Sequence, residues 1–446
     1  MADSVLGLLD PVGQIGPTLP GLDLHTTVPS AITEIAGWPV GRRNAAAEQA
    51  VDLIASGADV LWADPRDAER ADVDIADVRR AITVGLAVLA YRPGGVSFAG
   101  LHWHAGECDA CPGPGRWELP ESVSRRTRGA YFTPRELAET IVENALGVVT
   151  AHPWKRGQVQ RLENLRVADI CCGSGAFLVA AARYLAPLLL QAWAADDEVY
   201  LRGSQAFIPY EEPGPQNLAE ARTIIVGQCL HGVDIDPVSV ALCTLSLQLL
   251  TPEEPSYVDV RVGDALIGRS APALEADVDP PPDALLRPAR GYPPSPYRFD
   301  WDTEYPDVFD RGPHVMSGFD AIIGNPPYLG GQKITSAFGT DYREHLVRCF
   351  AGGTRGSADL AAYFWLRAHQ LVNDAGVVGI VATNTLLQGA TGRVGHDRLT
   401  WLGWRPYRRI TSTPWPSRSA AVHCCLIWTA KRHHVPEHLE ALDSPL

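Results

Sequence analysis

An α/β protein is what this sequence predicts: a doubly wound, mostly parallel, Rossmann-like sheet with a helical N-terminal region. Three observations lead there. Beyond Leu165, short β-branched runs alternate with long apolar helical stretches, the pattern of strand–helix–strand units. Several of those runs stop abruptly at Asp, Asn or Gly, as strands do when they feed a ligand crevice at their carboxyl ends. Residues 1–120 lack the alternation and carry helical spacing instead.

The elements follow in order. "AAAEQAVDLIASGADVLWADP" and "RDAERADVDIADVRRAITVGLAVLAY" are rich in helix formers and predict helices. A Gly/Pro/Cys-rich connector, "GLHWHAGECDACPGPGRWELPES", leads out of this region. "LRVADI" predicts a strand, "CCGSGA" a tight turn, and "FLVAAARYLAPLLLQAW" a helix. "IVGQCLHGVDI" predicts the next strand and "DPVSVALCTLSLQLL" its helix. "YVDVRVGDAL" and "GFDAIIGN" predict two further strands; "LAAYFWLRAHQLVNDAG" predicts a helix feeding the strand "VVGIVATN". Between the third and fourth strands, about residues 270–313, lies a proline- and acid-rich insertion, expected as a surface excursion. The expected organisation is a helical region at 1–120, an α/β domain at 121–430 and a tail at 431–446.

Bulk properties narrow the class. The chain has 446 residues, 46% hydrophobic and 20% charged, an ordinary globular balance. A formal charge of −14 argues against nucleic-acid affinity over the whole surface. Locally the balance reverses: between Arg393 and His434 eight Lys or Arg stand against one acid, Asp397. Nine cysteines in a chain this long do not make a disulfide framework. The N-terminus "MADSVLGLLD" lacks a basic leader, and the most apolar stretch is broken by Arg183 and Pro187. A cytoplasmic protein with no membrane span is expected.

The ends of the strands carry the chemistry. "DICCGSGAFL" places Asp169 at a strand end and Gly173 and Gly175 just before a helix, where glycine permits a tight turn and close approach of a ligand. A dinucleotide fingerprint would need a third glycine where Leu178 stands, and no phosphate-loop motif occurs. Asp234, ending "GVDIDP", suits two ribose hydroxyls, and Asp264, in "VGDAL", suits an adenine amino group. Together they describe a nucleoside pocket without phosphate, which S-adenosylmethionine fits. Taken singly, the two aspartates also read as helix caps or turn residues.

"IIGNPPYLGG" ends a strand in a rigid corner, because prolines cannot donate to a sheet ladder. With this motif the chain resembles the gamma-class N6-adenine DNA methyltransferases, in particular methylases of type IIG restriction–modification and related phage-defence systems. The resemblance runs from Arg128 to Trp428 through "GAYFTP", "ADICCGSGAF", "GVDIDP", "GDA", "GNPPY", "GSADLAAYFWLRA", "GVVGIVATNTLLQG" and "STPWPSRSAAVHCCLIW", in the family's order. It implies a Rossmann-like methyltransferase fold, S-adenosylmethionine as cofactor and double-stranded DNA as substrate.

It also implies residue roles. Asn325, Pro326, Pro327 and Tyr328 would be catalytic: two acceptors, the Asn325 side-chain oxygen and the Pro326 carbonyl, aim the lone pair of an otherwise delocalised adenine nitrogen. Tyr328, with Trp415 as a second partner, would stack on a base flipped from the duplex. Tyr131, Thr133, Asp169, Cys171, Gly173, Gly175, Phe177, Asp234, Ile235, Asp264 and Ala265 would line the cofactor site. No cysteine follows a proline, which removes cytosine-C5 chemistry. N4-cytosine methylation, methylation of protein glutamine, which shares Asn-Pro-Pro-Tyr, and a non-catalytic cofactor- or DNA-binding subunit remain as alternatives.

The family usually carries a long C-terminal recognition region, whereas 18 residues follow Trp428 here, and no nuclease motif is present. Partner subunits supplying target recognition, nuclease or another defence activity are therefore expected. Finally, His102, His104, Cys108 and Cys111 in the connector offer four ligands, two His and two Cys, for a structural zinc. A Gly/Pro-rich loop with reduced thiols is the favoured reading of that stretch.

Overall fold

Buried strands need apolar residues on both faces, and the central runs of this chain supply them. In the computed structural model, residues 24–57, 75–91, 96–98, 101–103, 133–151, 158–202, 217–251, 257–268, 298–310, 316–415, 423–431 and 442–443 are described. Strands β3 (Val167–Asp169), β4 (Leu230–Asp234), β5 (Asp259–Val262), β6 (Phe319–Gly324), β7 (Val372–Thr383), β8 (Trp404–Pro414), β9 (His423–Lys431) and β10 (Leu442–Asp443) form one eight-stranded sheet. A separate hairpin pairs β1 (Val96–Phe98), just before the expected connector, with β2 (Leu101–Trp103) at its start.

The sheet order is β10-β8-β9-β7-β6-β3-β4-β5. From β3 to β7 all neighbours are parallel, while β9 runs antiparallel to both β7 and β8. The chain moves outward from β3 through β4 to β5, then returns to lay β6 on the other side of β3. That reversal makes a switch point, where doubly wound sheets open a crevice at their carboxyl ends.

Alternation of side chains divides the core in two. On β7, Val377 and Val381 face one apolar cluster, and Val378, Ile380 and Ala382 face the other. The first face is covered by the helices Val40–Gly57, Ile75–Leu89, Arg135–Thr150, Ala176–Arg202 and Pro237–Leu250. The N-terminal helices therefore pack onto the α/β unit. Arg183 joins them by ion pairs to Asp52 (2.6 Å) and Glu48 (3.1 Å). Ala176–Arg202 is long and apolar enough to cross a membrane, but Leu178, Leu185 and Leu189 are fully buried and mark it as a core helix.

Three sequence expectations change. Ile225–Gln228 belongs to the helix Leu218–Gln228 and not to β4; Asn217 caps that helix by accepting from Ala219 and Glu220 N–H groups, so its β-branched end stays helical. The helix Leu360–Leu371 stops before Val372, which pairs with Phe319 and opens β7. The end of the proline-rich insertion is core and no surface excursion: Phe299, Trp301 and Tyr305 are buried against the second face. Rings of Phe299 and Trp301 meet edge to face at 4.8 Å, and Tyr305 donates its hydroxyl to the Gly232 carbonyl at 2.9 Å.

Candidate active site

The crevice lies at the carboxyl ends of β3, β4, β5 and β6 and, with its open mouth included, holds about 850 Å³ of empty space. Cys171, Gly173, Asp234, Ile235, Asp264, Ala265, Asn325 and Pro327 all line it. Four strand ends distant in sequence thus converge, as the motifs lead one to expect.

The turn after β3 is built by two glycines in left-handed backbone, Gly173 at φ 52° and Gly175 at φ 98°. Its shape is held by Asp234, whose Oδ2 accepts from Gly173 N–H and whose Oδ1 accepts from Asp236 N–H, both at 2.9 Å. Asp234 is therefore a turn-forming residue as well as a crevice wall. Asp236 caps the helix Pro237–Leu250, accepting from Val238 N–H at 3.1 Å.

Asp264 accepts from Leu266 N–H at 3.0 Å and from the Tyr342 hydroxyl at 3.4 Å. Burial pushes its carboxyl up to about 6, partly opposed by those hydrogen bonds. The loop that carries it is braced from behind. Trp301 Nε1 and Arg367 Nε both donate to the Ala265 carbonyl, at 3.3 and 2.8 Å.

Asp169 sits behind the wall, not in it. Its Oδ1 accepts from Cys171 N–H at 3.1 Å, and its buried Oδ2 has no hydrogen-bond partner among the described residues. Desolvation pushes this carboxyl up to about 7, with the neighbouring Asp234 charge adding to the rise. Burial also pushes the Cys171 thiol well up, so it is no nucleophile. Gly175 and the buried Phe177 do not line the crevice either.

At the end of β6, Asn325 donates from Nδ2 to the Thr133 hydroxyl at 3.0 Å and accepts at Oδ1 from the Tyr328 hydroxyl. Pro326 is buried and Pro327 faces the crevice. The Tyr328 ring is half-buried against the second core. Trp415 is half-buried against the first core and does not line the crevice.

Tyr131, His104, Cys108 and Cys111 lie outside the described residues, and of His102 only the strand backbone is described. The zinc expectation thus falls there. Among the described residues one His/carboxylate group is compact enough for a metal, His231, Asp259 and Asp307, at the opposite end of β4 and β5. Its acids are already paired, Asp259 with Arg261 at 2.7 Å and Asp307 with Arg166 at 3.2 Å. It reads as an ion-pair network.

Sequence reasoning missed Phe338, Tyr342, Leu360 and Phe364, which complete the apolar side of the crevice. Phe338 and Tyr342 stack at 4.8 Å. Phe364 and Leu360 lie in "GSADLAAYFWLRA", so the motif was visible although no role was attached to single residues.

The lining has a telling donor set. Among the described residues it contains three carboxylates, Asp234, Asp236 and Asp264, and no Lys, Arg or His. That suits a ligand with hydroxyl and amino donors and positive charge, and disfavours a polyphosphate. The site fits S-adenosylmethionine on this ground, and Gly173 leaves open space where a side chain would stand.

Residues 121–279 match the family "N-6 DNA Methylase" and residues 228–397 match "Eco57I restriction-modification methylase". The Escherichia coli "Type II restriction enzyme and methyltransferase RM.Eco57I" is 25% identical over 209 residues, 46% of this chain but 18% of that enzyme. Among solved structures, the type IIL restriction–modification enzyme MmeI in complex with DNA superposes with TM-score 0.47 and 16% identity, covering 94% of this chain and 58% of that one. The DrdV–DNA complex gives 0.43 and 11%, covering 92% and 39%. Between them the two family matches span residues 121–397, and over this stretch the chain is similar to N-6 DNA methylases and to the methylases of restriction–modification systems.

Proposed function

We propose that this chain transfers a methyl group from S-adenosylmethionine to N6 of an adenine flipped out of double-stranded DNA, as the modification component of a restriction–modification or phage-defence system. One observation carries the reading. The Asp234 and Asp264 carboxylates share a single crevice with the Asn325–Pro327 corner, which supports a nucleoside cofactor bound beside an acceptor amide.

Bound there, the cofactor supplies an electrophilic methyl group on sulfonium. Asp234 would accept from the ribose hydroxyls and Asp264 from the adenine amino group, with Phe338, Tyr342 and Phe364 offering the apolar side of the same crevice. Asn325 Oδ1 and the Pro326 carbonyl accept the two amino hydrogens of the target base, which localises the nitrogen lone pair. The proline corner holds those acceptors in place before the base arrives, so little reorganisation remains at the moment of reaction. The amino proton released on methylation leaves to water. Tyr328 gives up its bond to Asn325 when the base enters and covers the base with its ring. Target recognition and any nuclease or other defence activity are assigned to partner subunits.

The test is transfer of labelled methyl from S-adenosylmethionine to unmodified bacterial DNA by wild type and Asn325→Ala. Label on adenine N6 that the substitution removes is expected. Label on cytosine N4 would overturn the choice of base, and transfer that survives Asn325→Ala would overturn the assigned acceptor.

A further inference from the structure

Catalysis by an amide oxygen needs the amide held still. The two ends of an Asn side chain are nearly the same shape but opposite in hydrogen-bond character, and a turned amide would present donors to a donor. At the end of β6 the Asn325 side chain projects from a strand terminus, with nothing in its own proline corner to anchor Nδ2. The anchor comes from 192 residues earlier.

Thr133 is 7% exposed and stands just ahead of the helix Arg135–Thr150. Its hydroxyl oxygen accepts from Asn325 Nδ2 at 3.0 Å, on the side opposite the Tyr328 hydroxyl, which donates to Oδ1. Thr133 does not line the crevice. The Tyr328 contact must be given up when a base enters; the Thr133 contact need not be. We propose that Thr133 is a positioning residue for the reaction, holding Nδ2 so that Oδ1 of Asn325 remains turned toward the base after Tyr328 lets go. This departs from the cofactor-contact role that the motif around it implies. It rests on the methyl transfer proposed above.

The test uses the full chain with Thr133→Val, which keeps the shape and removes the acceptor, and Thr133→Ser, which restores it. Cofactor affinity is measured by calorimetry and methyl transfer in single turnover at saturating cofactor and DNA. A buried hydrogen bond of ordinary strength is worth about 10-fold in rate. Thr133→Val is expected to slow transfer about 10-fold on that scale, with the cofactor dissociation constant within about twofold of wild type. Thr133→Ser should recover most of the rate.

Weaker cofactor binding with an unchanged saturated rate would overturn the proposal and return Thr133 to the cofactor. An unchanged rate and affinity would overturn it too. Should wild type transfer no methyl at all, the proposed activity fails, and the positioning claim is then read from crystal structures of wild type and Thr133→Val. A rotated or disordered Asn325 amide in the variant upholds it, and an unmoved amide overturns it.

Discussion

The turn after β3 contains two glycines that fail in opposite ways when given a side chain. Gly173 has φ 52°, inside the left-handed basin, and a Cβ there meets nothing within 4 Å. Gly173→Ala therefore costs only the left-handed penalty, about 1 kcal/mol. Its methyl group, however, enters the space along the crevice wall. Gly175 has φ 98°, and a Cβ there would stand 2.9 Å from Cys243 Sγ and 3.4 Å from Cys243 Cα. The sulfur can shift a little but the helix backbone behind it cannot. Backbone strain of about 1–3 kcal/mol and overpacking of a similar size add to roughly 2–6 kcal/mol for Gly175→Ala. Urea unfolding should then separate the two variants clearly, with Gly173→Ala near wild type. Calorimetry with S-adenosylmethionine should reverse the emphasis: Gly173→Ala folds but loses at least about 10-fold in affinity, or 1.4 kcal/mol. Wild-type stability of Gly175→Ala, or wild-type cofactor affinity of Gly173→Ala, would refute the placement of this turn.

Further predictions concern the groups around it. Asp169 is held near pKa 7 by burial, against 3.8 for the ordinary side chain. The folded state thus binds the extra proton, so stability falls as pH rises from about 4 to 7 and the penalty is complete above that. Asp169→Asn should accordingly be more stable than wild type at pH 8, by an amount of the order of a few kcal/mol, and much closer to it at pH 4. Equal differences at the two pH values in urea unfolding would contradict this. Trp301→Ala should lose about 3–5 kcal/mol of stability, since it empties a fully buried site. It should also loosen the Ala265 carbonyl behind Asp264. A change within about 0.5 kcal/mol, as at exposed sites, would mean the end of the insertion is not core.

Much of the site was legible because its signals are local. Asp169, Asp234, Asp264 and Asn325 each close a short apolar run, and a run that ends in an acid or a Pro-Pro corner places that residue at a strand end whatever surrounds it. The parallel order followed from alternating strands and helices, since a crossover helix forces parallel pairing. The misread segments lie where local signals conflict. Ile225 and Val226 have strand-forming side chains, yet the Asn217 cap and burial of both residues keep them helical. Phe299, Trp301 and Tyr305 stand among prolines and acids, and only the returning chain beside β5 shows that they are core.

What the sequence by itself determined is the set of strand ends, the absence of a phosphate-loop motif and the likeness to N-6 DNA methylases over residues 121–397. These depend on spacing within about a dozen residues. What only the tertiary structure decided is who meets whom. Asp169 stands behind the wall while Asp234 and Asp264 stand in it, Tyr342 reaches Asp264 across 78 residues, and Thr133 holds the amide of Asn325 across 192. Contacts at such separations depend on how helices pack on a twisted sheet, and no short-range pattern encodes that geometry.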